Sequence, residues 1–314
     1  MSILEEIGAV SKRLARINDR FSADVGAGII PGAVALIARH GKLAYLKAFG
    51  FRDREKQLPM ATDSIFRIAS MTKPIVSVAV MMLAEAGKIR LVNPVSTYLS
   101  ELKDPQVGVE VAGAGGKPEL KLAPARREMT VQDLLRHTSG LTYGQFGDSL
   151  VKQAYREANL FDPDQTTAGF ISKLSKLPLQ NQPGEVWDYS MSTDVLGRAV
   201  EVIAGMDLDQ FIEARITGPL GMNDTGFMVT KEKADRIAEP QIDPHTGKRP
   251  AMPRDLTARP AFLSGGGGMV STAPDYLRLA QMLLNGGELD GARSLSRKTV
   301  ALMTSDHLPA DIRF

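Results

Sequence analysis

FRIASMTKP, residues 66–74, joins a strand-like approach, Ile65 to Ala69, to a long and nearly all-apolar run, PIVSVAVMMLAEAG, at 74–87. A helix is expected from Ser70 to about Ala86. Pro74 sits in its first turn, where a missing N–H does no harm, and Gly87 stops it. Such a helix is central and buried. Ser70 and Lys73 are three residues apart, so they share a helix face and the ammonium stem can reach the hydroxyl. The helix N-terminus adds positive potential, which favours an alkoxide or oxyanion. A lysine there is costly unless it is paired or functional, and a nearby amine can take a serine proton.

The spacing alone is weak. S-x-x-K recurs at Ser100/Lys103 and Ser149/Lys152, and about one chance match is expected in a chain of this size. Ser100 lies in a polar turn and Ser149 among solvated charges, so neither shares the context of Ser70. Local sequence leaves two readings of Ser70 open, a nucleophile or an ordinary buried capping serine.

On the N-terminal side, two β-rich runs at roughly 32–39 and 43–50 flank His40-Gly41, a hairpin signal that implies an antiparallel sheet. Ile3, Ile7, Val10, Leu14 and Ile17 recur at helical spacing before it. Residues 105–128 read as an irregular excursion or a small hairpin. Thr130 caps a short helix with Asp133 three residues on. Helices are expected near 148–159, 166–176, 192–204, 207–216, 273–285 and 296–304. The stretch 217–268 reads as loop-rich. Strands are few and early, and the last residues, HLPADIRF, offer none.

Composition narrows the chemistry. The chain has 314 residues, 43% of them hydrophobic and 24% charged, an ordinary globular balance. With 38 basic and 36 acidic residues scattered along it, there is no footprint for nucleic acid. It has no cysteine, which excludes disulfides, thiol catalysis and cysteine-ligated metals. No apolar stretch of signal-peptide or membrane-spanning length occurs. With Met1 as the start, a cytoplasmic protein is expected, with no membrane partner. The histidines, His40, His137, His245 and His307, are far apart and form no HExxH, so no metal or other cofactor is expected. His40 reads as a turn residue and His137 as structural. GxSxG is absent, which counts against an α/β-hydrolase. The run Gly265 to Gly268 lacks a following GK[ST] and is no P-loop. It could let two backbones pass closely.

Gln182 to Ser190, QPGEVWDYS, places a Pro-Gly turn before the only tryptophan, Trp187, and then Tyr189. Taken alone, this is an aromatic plug over the core.

Together the blocks resemble the serine β-lactamase and penicillin-binding-protein superfamily, nearest its class C-like branch with the family VIII carboxylesterases. They are PGAVALIARHGKLAYLKAFG (31–50), FRIASMTKP, LLRHTSGL (134–141), QPGEVWDYS, PLGMNDTGF (219–227) and SGGGGMVSTAPDYLRLAQMLL (264–284). They stand in the family's order and cover nearly the whole chain. The resemblance implies an α+β fold: an antiparallel sheet flanked by helices, plus a mainly helical part. The sheet part would comprise 1–70 and about 265–314, and the helical part about 71–264. It implies Ser70 as acylated nucleophile, Lys73 as its base, and Tyr189 as partner base and proton relay. The Ser70 N–H would form half the oxyanion hole. Trp187 and Met191 would line the substrate site.

Two departures stand out. Met191 replaces the asparagine of the family's Tyr-x-Asn, which argues against a β-lactamase or DD-peptidase and fits the esterase branch. The Lys-Thr-Gly-like motif has no counterpart. His245-Thr246-Gly247 precedes the glycine run, whereas the family's strand follows it. Missing C-terminal strands are therefore expected, and with them one oxyanion donor, a loss of about 10²–10³ in rate. The expected activity is hydrolysis of small carboxylic esters. The alternatives are a β-lactamase or DD-peptidase, a transesterase, and a non-catalytic ligand-binding relative.

Overall fold

The computed structural model describes residues 11–243, 246–248, 250 and 254–313. In chain order its elements are α1 (Ser11–Gly26), β1 (Gly32–Arg39), β2 (Lys42–Asp53), β3 (Leu58–Pro59), β4 (Phe66–Arg67), α2 (Thr72–Glu85), β5 (Gln106–Ala112), β6 (Pro118–Pro124), α3 (Val131–Leu135), α4 (Leu150–Glu157), α5 (Thr167–Leu174), α6 (Ser192–Ala204), α7 (Leu208–Ile212), β7 (Val270–Ser271), α8 (Ala273–Leu284), β8 (Glu288–Leu289), β9 (Ala292–Arg293) and α9 (Arg297–Met303). This is the mixed α+β architecture expected. Of the N-terminal periodicity, Ile3, Ile7 and Val10 lie outside the described residues, as does His245; Leu14 and Ile17 fall in α1.

The chain divides into two compact units. The first comprises Met1–Ile68, Thr217–Arg259 and Met269–Ala292. Its centre is the antiparallel sheet β1-β2-β3. His40 and Gly41 turn the β1–β2 hairpin with φ of 51° and 72°, left-handed values that fit a tight turn following the strands' own twist. α1 lies on β2, where Phe21 stacks on Phe49 at 5.1 Å and the Tyr45 hydroxyl donates to Asn18 Oδ1 at 2.7 Å. β4 pairs with β7 across some 200 residues of sequence, Phe66 opposite Ser271 and Arg67 opposite Val270. Ile65, Val229, Leu256 and Val270 close a small core beside this pair.

The second unit comprises Ala69–Ile216, Pro260–Gly268 and Arg293–Phe314. Residues 217–259, expected with the helical part, group instead with the hairpin. Residues 293–314, expected with the sheet, group with the helices. The apolar run after Pro74 forms α2, whose Ile75, Val76 and Val78 to Leu83 are buried. It packs on α6. The 105–128 excursion is a regular hairpin, β5–β6.

α3 opens with the expected capping box, Thr130 and Asp133 each serving the other's backbone N–H. Asp133 also takes Arg127 Nη1 and Nη2 at 2.5 and 3.0 Å, Arg136 Nη2 at 2.9 Å and Thr138 Oγ1 at 3.0 Å. No helix among the described residues is long and apolar enough to cross a membrane.

Candidate active site

All the residues of the site lie in the second unit. Ser70 sits in a 3-10 turn, Ala69–Met71, immediately before α2. Its neighbour Ala69 has φ 44°, left-handed and strained for a residue with a Cβ. Ser70 is exposed, whereas α2 beyond it runs into the core. The same apolar pattern that buries the helix therefore fixes where its N-terminus presents the hydroxyl.

Lys73 Nζ donates to Ser70 Oγ at 3.1 Å, to the Gly266 carbonyl at 2.7 Å and to the Tyr143 hydroxyl at 3.4 Å. It also lies over the Tyr189 ring, 4.7 Å from the centroid, a cation–π arrangement. Ser70, Lys73 and Tyr189 are thus brought together. Tyr189 meets the ammonium with its ring, while the tyrosine hydroxyl that reaches Lys73 belongs to Tyr143. Burial pushes the Tyr143 phenol well above its ordinary range, with Asp194 and Tyr189 adding to the shift, so it stays protonated.

Trp187 is half-buried and lies nearly parallel to Tyr189, ring centroids 6.3 Å apart. Met191 is placed differently from the expectation. It is 1% exposed, at the N-cap of α6, and its side chain is core rather than site lining.

The His137-Thr138-Ser139-Gly140 box ties this segment down. His137 O accepts from the Asp188 N–H at 3.0 Å and Thr138 O from the Gly184 N–H at 2.7 Å. Below them, Ser139, Ser192 and Ser190 form a buried hydroxyl chain with 2.8 Å steps. His137 Nδ1 meets the Ser190 N–H at 3.3 Å, and its ring packs 4.9 Å from that of Tyr189. Burial, and then the nearby charge of Lys73, lower its pKa to about 4, so it is a neutral imidazole at physiological pH.

The glycine run does let two backbones pass. A Cβ on Gly265 would stand 2.5 Å from the Thr193 carbonyl, and one on Gly266 would collide with the Asp194 carboxylate. Asp194, in the first turn of α6, is 1% exposed. Its Oδ1 accepts from Ser264 Oγ at 2.6 Å and from the Gly266 N–H at 3.0 Å. Its Oδ2 is buried and finds no hydrogen-bond partner among the described residues. Burial pushes this carboxyl up. The Ser264 and Gly266 donors and the charge of Lys73 pull against that. Asp194 therefore holds the loop whose carbonyl holds Lys73.

Sequence reasoning missed Tyr143, Asp194 and the Gly266 carbonyl. A signal existed for the first: LTYG directly follows the LLRHTSG box. Among the described residues no three acidic or histidine side chains gather as a metal site.

A serine and lysine one turn apart at the mouth of a buried helix, in a mixed α+β chain, define a class. The chain belongs to the Beta-lactamase family, whose model matches residues 17–314. It is similar to Protein Rv1367c of Mycobacterium tuberculosis (strain ATCC 25618 / H37Rv), 39% identical over 284 residues that span 90% of this chain and 69% of that one. It is similar to Esterase EstB of Burkholderia gladioli, 33% identical over 291 residues, 86% of this chain and 69% of that one. Among solved structures it resembles EstCE1, a hydrolase with promiscuous acyltransferase activity, with TM-score 0.73 and 29% identity over 92% of this chain and 76% of that one.

Proposed function

We propose that this protein hydrolyses small carboxylic esters through an acyl-enzyme on Ser70. The observation that carries the reading is the position of Lys73 Nζ, 3.1 Å from Ser70 Oγ and fixed on its far side by the Gly266 carbonyl at 2.7 Å. Once Lys73 has given up a proton, it accepts the hydroxyl proton along that line as Ser70 Oγ attacks the ester carbonyl. The Ser70 N–H and the N-terminal end of α2 stabilise the oxyanion. The ester C–O bond breaks, and Lys73, which holds that proton beside Ser70 Oγ, passes it to the departing alcohol and returns to the neutral amine. Tyr143, held protonated, orients Lys73. Water then attacks the acyl-Ser70 carbonyl with Lys73 or Tyr189 as base, releasing the acid and restoring the hydroxyl. His137, neutral beside them, adds no competing charge.

Acyl transfer to an alcohol follows the same path with the alcohol in place of water. The similarity to EstCE1, a hydrolase with promiscuous acyltransferase activity, favours this as the second reading.

The test is hydrolysis of p-nitrophenyl butyrate by the wild-type chain and by Ser70→Ala, with intact-protein mass measured during turnover. A butyryl adduct on the wild type and loss of turnover by about 10³-fold or more in the variant are expected. Undiminished hydrolysis by Ser70→Ala would sink the reading. Adding methanol distinguishes the two fates of the acyl group by the methyl ester it yields.

A further inference from the structure

Two phenylalanines have no part in the mechanism above. Phe146 is 54% and Phe161 41% exposed, and among the described residues they are the only exposed aromatic side chains. Single exposed apolar residues are ordinary. These two are not scattered, because both flank Tyr143, the residue whose hydroxyl reaches Lys73.

Tyr143 sets their geometry. Phe161 lies near-parallel to Tyr143, at 25° with centroids 6.0 Å apart, and Phe146 stands nearly perpendicular to it, at 83° and 5.9 Å. Tyr143 is 8% exposed, so its ring is the buried base of the patch, and a planar guest would meet the outward ring surface of Phe146 and Phe161. Phe146 also lies 6.2 Å from the Tyr189 ring, which links the patch to the aromatic over Lys73.

The patch is anchored. Behind Phe161 stands Phe262, 6.5 Å away and 8% exposed, which stacks at 5.1 Å on the fully buried Phe170. The loop carrying Phe146 is tied to α4, with Lys152 Nζ donating to the Phe146 carbonyl at 2.5 Å and Arg156 Nη1 to the Gly144 carbonyl at 2.6 Å. Exposed aromatic surface held rigid next to a nucleophile is pre-organised to bind.

We propose that Phe146 and Phe161, held in place by the buried Tyr143, form a subsite for an aryl group, so that esters bearing an aromatic ring on the acyl or the alcohol side are the preferred substrate class. This rests on the ester-hydrolase reading above.

The test uses two size-matched pairs. Ethyl phenylacetate against ethyl cyclohexylacetate places the ring on the acyl side. Benzyl acetate against cyclohexylmethyl acetate places it on the alcohol side. The wild type is expected to favour the aromatic member of one pair by about three- to tenfold in kcat/KM, mostly through KM, and the pair that shows it assigns the side. Phe146→Leu and Phe161→Leu keep apolar bulk at exposed positions, and their combination is expected to bring the ratio close to one.

A ratio near one in both pairs for the wild type, or a preference that survives in the double variant, overturns the proposal. Calorimetric titration of the same esters into Ser70→Ala separates it from the reading it rests on. Tighter binding of the aromatic member, lost when both leucines are added, supports the subsite whether or not Ser70 is the nucleophile. Equal binding of aromatic and cyclohexyl members there refutes the subsite even if Ser70 proves catalytic.

Discussion

Lys73 shows how much of this site depends on groups that never meet a substrate. Its ammonium is aimed by a backbone carbonyl, and that carbonyl is aimed by a buried carboxylate, Asp194, through the Gly266 N–H. Asp194→Asn keeps an acceptor for Ser264 and Gly266, whereas Asp194→Ala removes it and frees the loop whose carbonyl aims Lys73. A displacement of about 1 Å at such a site costs up to 10²-fold in rate, so Asp194→Ala is expected to lower kcat by roughly ten- to a hundredfold and Asp194→Asn by much less. Unchanged kcat in Asp194→Ala would remove Asp194 from the account.

Asp133 acts on stability instead. Burial alone would raise its pKa, but the hydrogen bonds from Arg127, Thr130 and Arg136 outweigh burial and bring it to about 2 from 3.8. A carboxyl depressed on folding stabilises fully above its unfolded value, and the benefit fades as the pH falls towards the folded one. The difference corresponds to about 2 kcal/mol, present above roughly pH 4 and lost between there and pH 2. Asp133→Asn is expected to lower the urea midpoint near pH 6, with the gap to the wild type about halved at pH 3 and nearly closed at pH 2. Parallel curves at every pH would contradict this.

Among the elements, α2 and the β1–β2 hairpin were legible because their signals are local. An apolar run with Pro in its first turn and Gly at its end can only be a buried helix, and His40-Gly41 between β-rich runs can only turn. Ser70 and Lys73 are as close in sequence, yet their spacing alone left an ordinary capping serine open, and the blocks shared with the family singled them out. What brings them partners was not legible. The Gly266 carbonyl lies 193 residues from Lys73 and Tyr143 lies 70 away, and β7 carries two residues whose strand character exists only through pairing with β4 and Gly226. Periodicity cannot report such pairings, because each is decided by packing after the helices are in place.

Met191 shows the opposite error. Its position in a motif read as site lining, whereas the backbone at the start of α6 turns it into the core. The glycine run was legible in kind but not in partner. Gly265→Ala would push a Cβ against the Thr193 carbonyl, backbone against backbone, where no side chain can swing away. A loss of about 1–3 kcal/mol in unfolding free energy is expected, together with a fall in kcat as the Gly266 carbonyl shifts. Wild-type stability in that variant would mean the α6 N-terminus yields more easily than close packing allows.

Across the whole molecule, the end of the described chain is sewn to the middle. The Trp187 N–H donates to the Arg313 carbonyl at 2.7 Å, and the Arg313 N–H returns to the Glu185 carbonyl at 3.3 Å, joining residues 128 positions apart. Arg136, one of the two arginines on Asp133, reaches the His307 carbonyl at 3.0 Å. The segment that carries Trp187 and Tyr189 is therefore held from two sides, by the His137–Gly140 box and by residues 307–313. A protein ending at Thr304 would lose the second. Its α9 would remain, capped by Ser296 and held through the Ser296 N–H on Glu85 at 2.7 Å. The unfolding transition should then persist, while Trp187, the only tryptophan, becomes more solvated and its emission moves to the red. Tyr189, two residues on, loses its fixed place over Lys73. A displacement of about 1 Å at such a site costs up to 10²-fold in rate, so p-nitrophenyl butyrate hydrolysis is expected to fall by roughly ten- to a hundredfold. Unshifted emission with undiminished kcat/KM would show that the box alone positions the tyrosine, and that the pairing with Arg313 does not bear on the site.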